Sequence, residues 1–110
     1  MSEKILPVCR GLSVNGGIAD GAVKKLEENT DAISKADILV LKRSDPSYAV
    51  EVMKAGGVIM EQGGRLAHLC VVALEMGIPC ITQVEGAMNI LADGMRVVLD
   101  ANEGAIYEKK

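Results

Sequence analysis

The sequence has no tryptophan and no phenylalanine, and two tyrosines in 110 residues are its whole aromatic complement. Any core must therefore be aliphatic, and a hydrophobic share of 49% supplies enough Val, Ile, Leu, Ala and Met to build one. No apolar run reaches the roughly 18 residues that a membrane-crossing helix needs. The opening Met1-Ser2-Glu3-Lys4 has neither the basic start nor the apolar stretch of a secretory leader. Basic residues are not in excess: the formal net charge is −3, without a basic cluster or interleaved aromatics. That balance argues against nucleic-acid binding by phosphate neutralisation. Cysteine is scarce too. Cys9, Cys70 and Cys80 are an odd number at unrelated spacings and, with no leader, read as reduced thiols of a cytoplasmic protein.

What remains suits a single domain over residues 1–110. Ile5 to Cys9 is expected as an edge strand, because Pro7 cannot sit in a central one. Gly11 to Gly21, with four glycines plus Asn15 and Asp20, reads as turn chemistry with close backbone approaches. Ala22 to Leu26 is compatible with a strand, and Glu27 to Lys35 with a polar turn or a short helix. Asp37-Ile-Leu-Val-Leu41 is a short apolar run bounded by polar residues, as in a strand buried on both faces. Ser44-Asp45-Pro46 predicts a helix start, with Ala49, Val50 and Met53 as the apolar stripe and Gly56-Gly57 as the stop. Gly57 to Met60 and Cys80 to Thr82 are two further strands. Gly86 to Leu91 suits a short helix. Met95 to Asp100 and Ala105 to Tyr107 flank a turn at Asn102-Glu103-Gly104, a hairpin signal. Alternation of strand and helix through the middle implies an α/β arrangement with a partly parallel sheet.

One stretch carries the chemistry. After the strand ending at Met60, Gly63-Gly64 predicts a turn, and Leu66 to Met76 predicts a helix stopped by Gly77 and Pro79. His68, the only histidine, falls in that helix's first turn, where unpaired N–H groups and the positive end of the dipole favour an anion. In α/β sheets ligands gather at the carboxyl ends of strands, where this turn would lie. By itself the histidine also fits an ordinary imidazole satisfied by a backbone group. A metal is not expected, since His68 and Cys70 stand two apart on a helix and point about 200° away from each other. The serines lack a Gly-x-Ser-x-Gly setting, and no Walker loop or Gly-x-Gly-x-x-Gly fingerprint occurs. A phosphate donor, if one is used, has to be bound elsewhere.

Gly63-Gly64-Arg65-Leu66-Ala67-His68 followed by Ala73-Leu-Glu-Met-Gly-Ile-Pro79 resembles the swivelling phosphohistidine domain of phosphoenolpyruvate-utilising enzymes. Pyruvate phosphate dikinase, phosphoenolpyruvate synthase and enzyme I are of this type. Asp37-Ile-Leu-Val40 with Ser44-Asp-Pro46, and Leu91-Ala-Asp-Gly94 with Val97-Val-Leu-Asp100 and Gly104-Ala-Ile106, extend the resemblance over nearly the whole chain from Cys9. It implies a three-layer β/β/α swivelling fold, here standing alone, with His68 as phosphoacceptor. Gly63, Gly64, Arg65, Ser44 and Arg43 are then the residues expected to shape the turn or meet the phosphate. No cofactor is expected on this domain. Mg2+ and ATP or phosphoenolpyruvate are expected on separate nucleotide-binding, phosphoenolpyruvate-binding or pyruvate-binding partners, with no nucleic acid and no membrane involved.

The chain departs from the family pattern at Ala67, where Thr or Ser is usual, at Met60, where Thr is frequent, and at Leu74, where Arg is usual. Each departure removes a hydrogen-bond donor, and Arg65 or Arg43 is the candidate replacement. Two other readings follow. One is a relative that binds partners without being phosphorylated. The other is the small subunit of a two-chain dehydratase, which shares such a fold but carries serine where this chain has His68.

Overall fold

A computed structural model of the protein describes residues 6–26 and 32–109. Among the described residues eight strands form one sheet: β1 (Cys9–Arg10), β2 (Leu12–Asn15), β3 (Ile18–Leu26), β4 (Asp37–Leu41), β5 (Gly57–Met60), β6 (Cys80–Thr82), β7 (Arg96–Asp100) and β8 (Ala105–Glu108). The helices among these residues are α1 (Ala49–Lys54), entered through a 3-10 turn at Pro46–Tyr48, α2 (His68–Met76) and α3 (Ala87–Ile90). The strand order is β1-β8-β7-β3-β4-β5-β6-β2. Strands β3 to β6 run parallel, while β7, β8, β1 and β2 add antiparallel pairs.

The apolar runs of β4 and β5 follow from their central place. Residues Ile38 to Leu41 and Val58 to Met60 are all fully buried, because both faces of these strands are covered. Side chains alternate between the faces. Ile38, Val40, Ile59 and Ile81 join Val97 and Leu99 of β7 and Ile106 of β8 in one core. Leu39, Leu41, Val58, Met60 and Cys80 join Val52 of α1 and Leu69, Cys70 and Ala73 of α2 in the other. The result is the expected α/β, three-layer β/β/α architecture, with its two β layers belonging to one hydrogen-bonded sheet.

The sheet curls far enough to bring its ends together. Gly57 of β5 sits where a Cβ would lie 3.3 Å from Leu99 of β7, two strands beyond its neighbour β4. The two outermost strands, β1 and β2, are consecutive in the chain and separated only by Gly11. The Gly11 N–H donates to the Gly104 carbonyl at 2.9 Å on one side, and a Cβ on Gly11 would lie 2.5 Å from the Thr82 carbonyl on the other.

This closure corrects the reading of the first third. Gly11 to Gly21 is not chiefly turn: it contains β2 and the start of β3, with the reversal confined to Gly16-Gly17, where Gly17 has φ +119°. Glycines occur here because backbones meet; Gly21 abuts the Ala36 carbonyl. The strand at the start is only Cys9–Arg10, extended by a bond from the Val8 N–H to the Ile106 carbonyl, and Ile5 lies outside the described residues. Ala22 to Leu26 is the second half of β3. The span of the expected polar turn or helix at 27–31 also lies outside the described residues, and 32–35 is neither helix nor strand. The hairpin of β7 and β8, the strands at β4, β5 and β6, and the short α3 form where the residue pattern places them.

Candidate functional site

Strand β5 delivers the chain to the site. Past its end, the Glu61 and Gln62 N–H groups donate to the carbonyls of Leu41 and Lys42, extending the β4–β5 ladder by two residues. Gly63 then turns with φ +126°, a conformation that a side chain resists. Its carbonyl accepts a 2.8 Å hydrogen bond from the hydroxyl of Thr82 on β6, the one buried polar residue among the described residues. Beside it, Gly64 faces open space, with no atom within 4 Å of where a Cβ would stand. The Gly64 carbonyl accepts from the Ala67 N–H, and α2 begins at His68. At the far end, Gly77 caps the helix in the left-handed conformation with φ 72°.

His68 is exposed at the first helical position, while Leu69 and Cys70 beside it are fully buried. Successive helical residues are rotated by about 100°, so anchoring those two directs His68 away from the core. Among the described residues none is hydrogen-bonded to the imidazole. Leu66, just ahead of it, is 89% exposed. The N-cap position belongs to Ala67, which has no side chain to offer, and the first turn has no acidic residue. The acceptor comes from elsewhere: the Ser44 hydroxyl, in the loop after β4, takes the Leu69 N–H at 3.0 Å.

Ser44, Gly63 and Gly64 are thus gathered at the start of α2. Arg65 lies next to them and is exposed, yet its Nε donates to the Ser13 carbonyl at 3.2 Å and ties the turn to β2. Arg43, next to Ser44 in the chain, lines an open cleft of about 440 Å³ with Lys42, Asp45 and Asn89. Of the three departures, Met60 is a fully buried core residue and Leu74 is 52% exposed on α2.

Residue types alone did not mark Thr82, and they gave Cys70 and Cys80 only as reduced thiols. Cys70 and Cys80 are both free and buried in the core beneath α2. A hydrogen bond from Cys80 lowers the Cys70 thiol below its usual range despite burial. The same bond and burial push Cys80 up. Glu61 is a further structural anchor: its carboxylate accepts the Met88 N–H of α3 at 2.8 Å. Among the described residues, no group of three His, Cys, Asp or Glu is placed to hold a metal, and no helix is long and apolar enough to cross a membrane.

A curled β/β/α domain with a histidine opening a helix behind a glycine turn defines the class of swivelling phosphohistidine-type domains. The chain belongs to the family of mobile domains of phosphoenolpyruvate-utilising enzymes, whose model matches residues 33–104. The phosphoenolpyruvate synthase of Aeropyrum pernix is 36% identical over 101 residues, covering 89% of this chain. The chain spans 12% of that relative's length. Among solved structures, enzyme I is similar with a TM-score of 0.57 at 20% identity, over 66% of this chain and 30% of that one. Aconitase X of Thermococcus kodakaraensis, in its holo form, is similar with a TM-score of 0.68 at 16% identity, over 93% of this chain and 98% of that one. Both structural likenesses are likenesses of fold.

Proposed function

We propose that this chain is a phosphoryl carrier that accepts phosphate on His68 from a separate domain or protein binding ATP or phosphoenolpyruvate, and surrenders it at a second site. Family membership supports a role alongside other domains or proteins. The observation that carries the reading is the placement of the only histidine, exposed at the first position of α2 behind a turn whose Gly64 faces open space.

The chemistry is a nucleophilic displacement. An unprotonated imidazole nitrogen attacks the phosphorus of the donor, a P–N bond forms, and the P–O bond to the donor's leaving oxygen breaks. Electron density returns to that oxygen, where Mg2+ on the partner would neutralise it. The dianion on His68 would lie near the positive end of α2, which favours it. Reversal of the same step at a second site passes the group on. Because the donor's own binding site is not on this domain, its identity depends on the partner.

A non-phosphorylated binding module is the second reading, favoured by the missing donors at Ala67 and Leu74 and by the exposed apolar surface of Leu66 and Leu74. Intact-mass analysis separates the two. The protein and its His68→Ala variant are incubated in cell extract with ATP or with phosphoenolpyruvate. A phosphate adduct that acid removes, base leaves, and the variant lacks supports the carrier. Absence of any adduct, with fold and partner binding intact, selects the binding module.

A further inference from the structure

We propose that Gln83 is a positioning residue of the His68 site, turned out of the end of β6 by a left-handed backbone so that its carboxamide donates to an oxygen of the phosphoryl group on His68. The inference rests on the carrier reading and deepens it.

Three observations carry it. First, Gln83 is, among the described residues, the one non-glycine with a positive φ, at 57°. Such a residue enters that region at a steric cost, so the surrounding structure has to impose it. Second, both neighbours do so. The Thr82 hydroxyl donates to the Gly63 carbonyl at 2.8 Å, and the Val84 N–H donates to the Met60 carbonyl at 3.1 Å. Ile81 and Val84 are buried in the core shared with β7 and β8. Strict alternation after Ile81 would send Gln83 there instead of Val84. The left-handed residue exchanges the two and leaves Gln83 exposed. Third, Gly63 links Thr82 to Ala67: a Cβ on it would lie 3.8 Å from the Thr82 hydroxyl and 3.5 Å from the Ala67 Cβ. Gln83 follows Thr82 and His68 follows Ala67, so two exposed side chains leave the same contact.

A glycine would take the same turn without strain and bury Val84 equally well. Packing therefore does not account for a side chain at this position. A carboxamide has two N–H donors, and those of Gln83 have no partner among the described residues. Neighbouring donors are committed elsewhere: the Arg65 Nε is bonded to β2, and the Thr82 hydroxyl to Gly63. A neutral donor also holds a dianion less tightly than a cation does, which suits a group that has to be passed on.

The test loads the full chain with phosphoramidate, a small chemical donor that needs no partner. An imidazole nitrogen attacks phosphorus, a P–N bond forms as the one to the leaving group breaks, and the released ammonia takes the proton that the imidazole gives up. The Gln83 side-chain amide resonances should move on loading and stay in place in His68→Ala treated alike. A purely structural role would not produce that shift. The half-life of the adduct is then followed by intact mass for wild type, Gln83→Gly and Gln83→Glu. Loss of a hydrogen bond to a charged group predicts an adduct about tenfold shorter-lived in Gln83→Gly. Its denaturation midpoint should be no lower than that of wild type, because the strain is gone. Gln83→Glu keeps the shape but sets a negative charge against the phosphoryl group, and its adduct should be shorter-lived as well. Should Gln83→Gly fail to fold, Gln83→Glu takes its place. If extract loads the chain and phosphoramidate does not, the same comparison is made on protein loaded in extract. Equal half-lives, or a Gln83 side chain unmoved by loading, overturn the inference while the adduct leaves the carrier reading standing. No adduct on His68 from either source counts against the carrier reading itself, and the role of Gln83 falls with it.

Discussion

Gly104 and Gly11 meet back to back at the point where the curled sheet closes. A Cβ on Gly104 would lie 2.5 Å from the Gly11 carbonyl, and Gly104 itself has φ +73°. Both a steric clash with backbone and an unfavourable conformation would follow from any side chain there. Gly104→Ala should therefore destabilise the fold by about 2–4 kcal/mol. Chemical denaturation with an unchanged slope checks this, and a loss below about 0.5 kcal/mol would show that the closure is not tight.

The glycine turn should divide its two members. Gly63 has φ +126°, whereas Gly64 faces open space and has no positive φ. Gly63→Ala is expected to cost about 1–3 kcal/mol. Gly64→Ala should stay within about 0.5 kcal/mol of wild type. If partners approach His68 over this turn, Gly64→Ala should instead slow phosphate uptake in extract, a kinetic change without a stability change.

Thr82→Val tests what holds the turn from below. The substitution preserves shape but removes the hydroxyl that donates to the Gly63 carbonyl at 2.8 Å, at a residue with no exposure. An unsatisfied carbonyl in that setting costs about 1–3 kcal/mol. Thermal unfolding measures the loss. The Gly64 and Ala67 amide resonances should shift with it, since both belong to the same turn.

Cys9 supplies a pH dependence. Burial raises its thiol from 9.0 to about 11, so the thiolate is a minor species at neutral pH. Iodoacetamide modification at Cys9 should be slow at pH 7 and rise about tenfold per pH unit until near that value, since the thiolate is the nucleophile. The folded state binds this proton more tightly than the unfolded state. Its contribution to stability is therefore full below pH 9 and is lost as pH climbs from about 9 to about 11. Cys70 and Cys80, fully buried, should label only on unfolding.

Much of this protein was legible from local pattern. The runs at 38–41 and 57–60 read as strands buried on both faces, because nothing polar interrupts them and both are short for core helices. Gly77 and Pro79 ended α2 where they stand, and Pro46 opened the turn before α1. The placement of His68 at the start of a helix followed from the same local rules.

Residue pattern could not tell that the glycines before Gly21 lie mostly in strands, because their reason is the approach of distant backbones rather than a local turn. It also could not assign partners. Arg43 and Arg65 were equal candidates for the site, and only tertiary structure bonds Arg65 to Ser13 and sets Arg43 in the wall of the cleft it shares with Lys42 and Asp45. Ser44 was legible as a helix start for the segment that follows it, yet its hydroxyl serves a helix 25 residues away. The sequence alone determined the order of elements from β4 onward, the aliphatic cores and the position of the one histidine, since periodicity and turn chemistry are local. Tertiary structure decided which edges close the sheet and which hydroxyls hold the site, because those are distances between residues that the chain brings together only by folding.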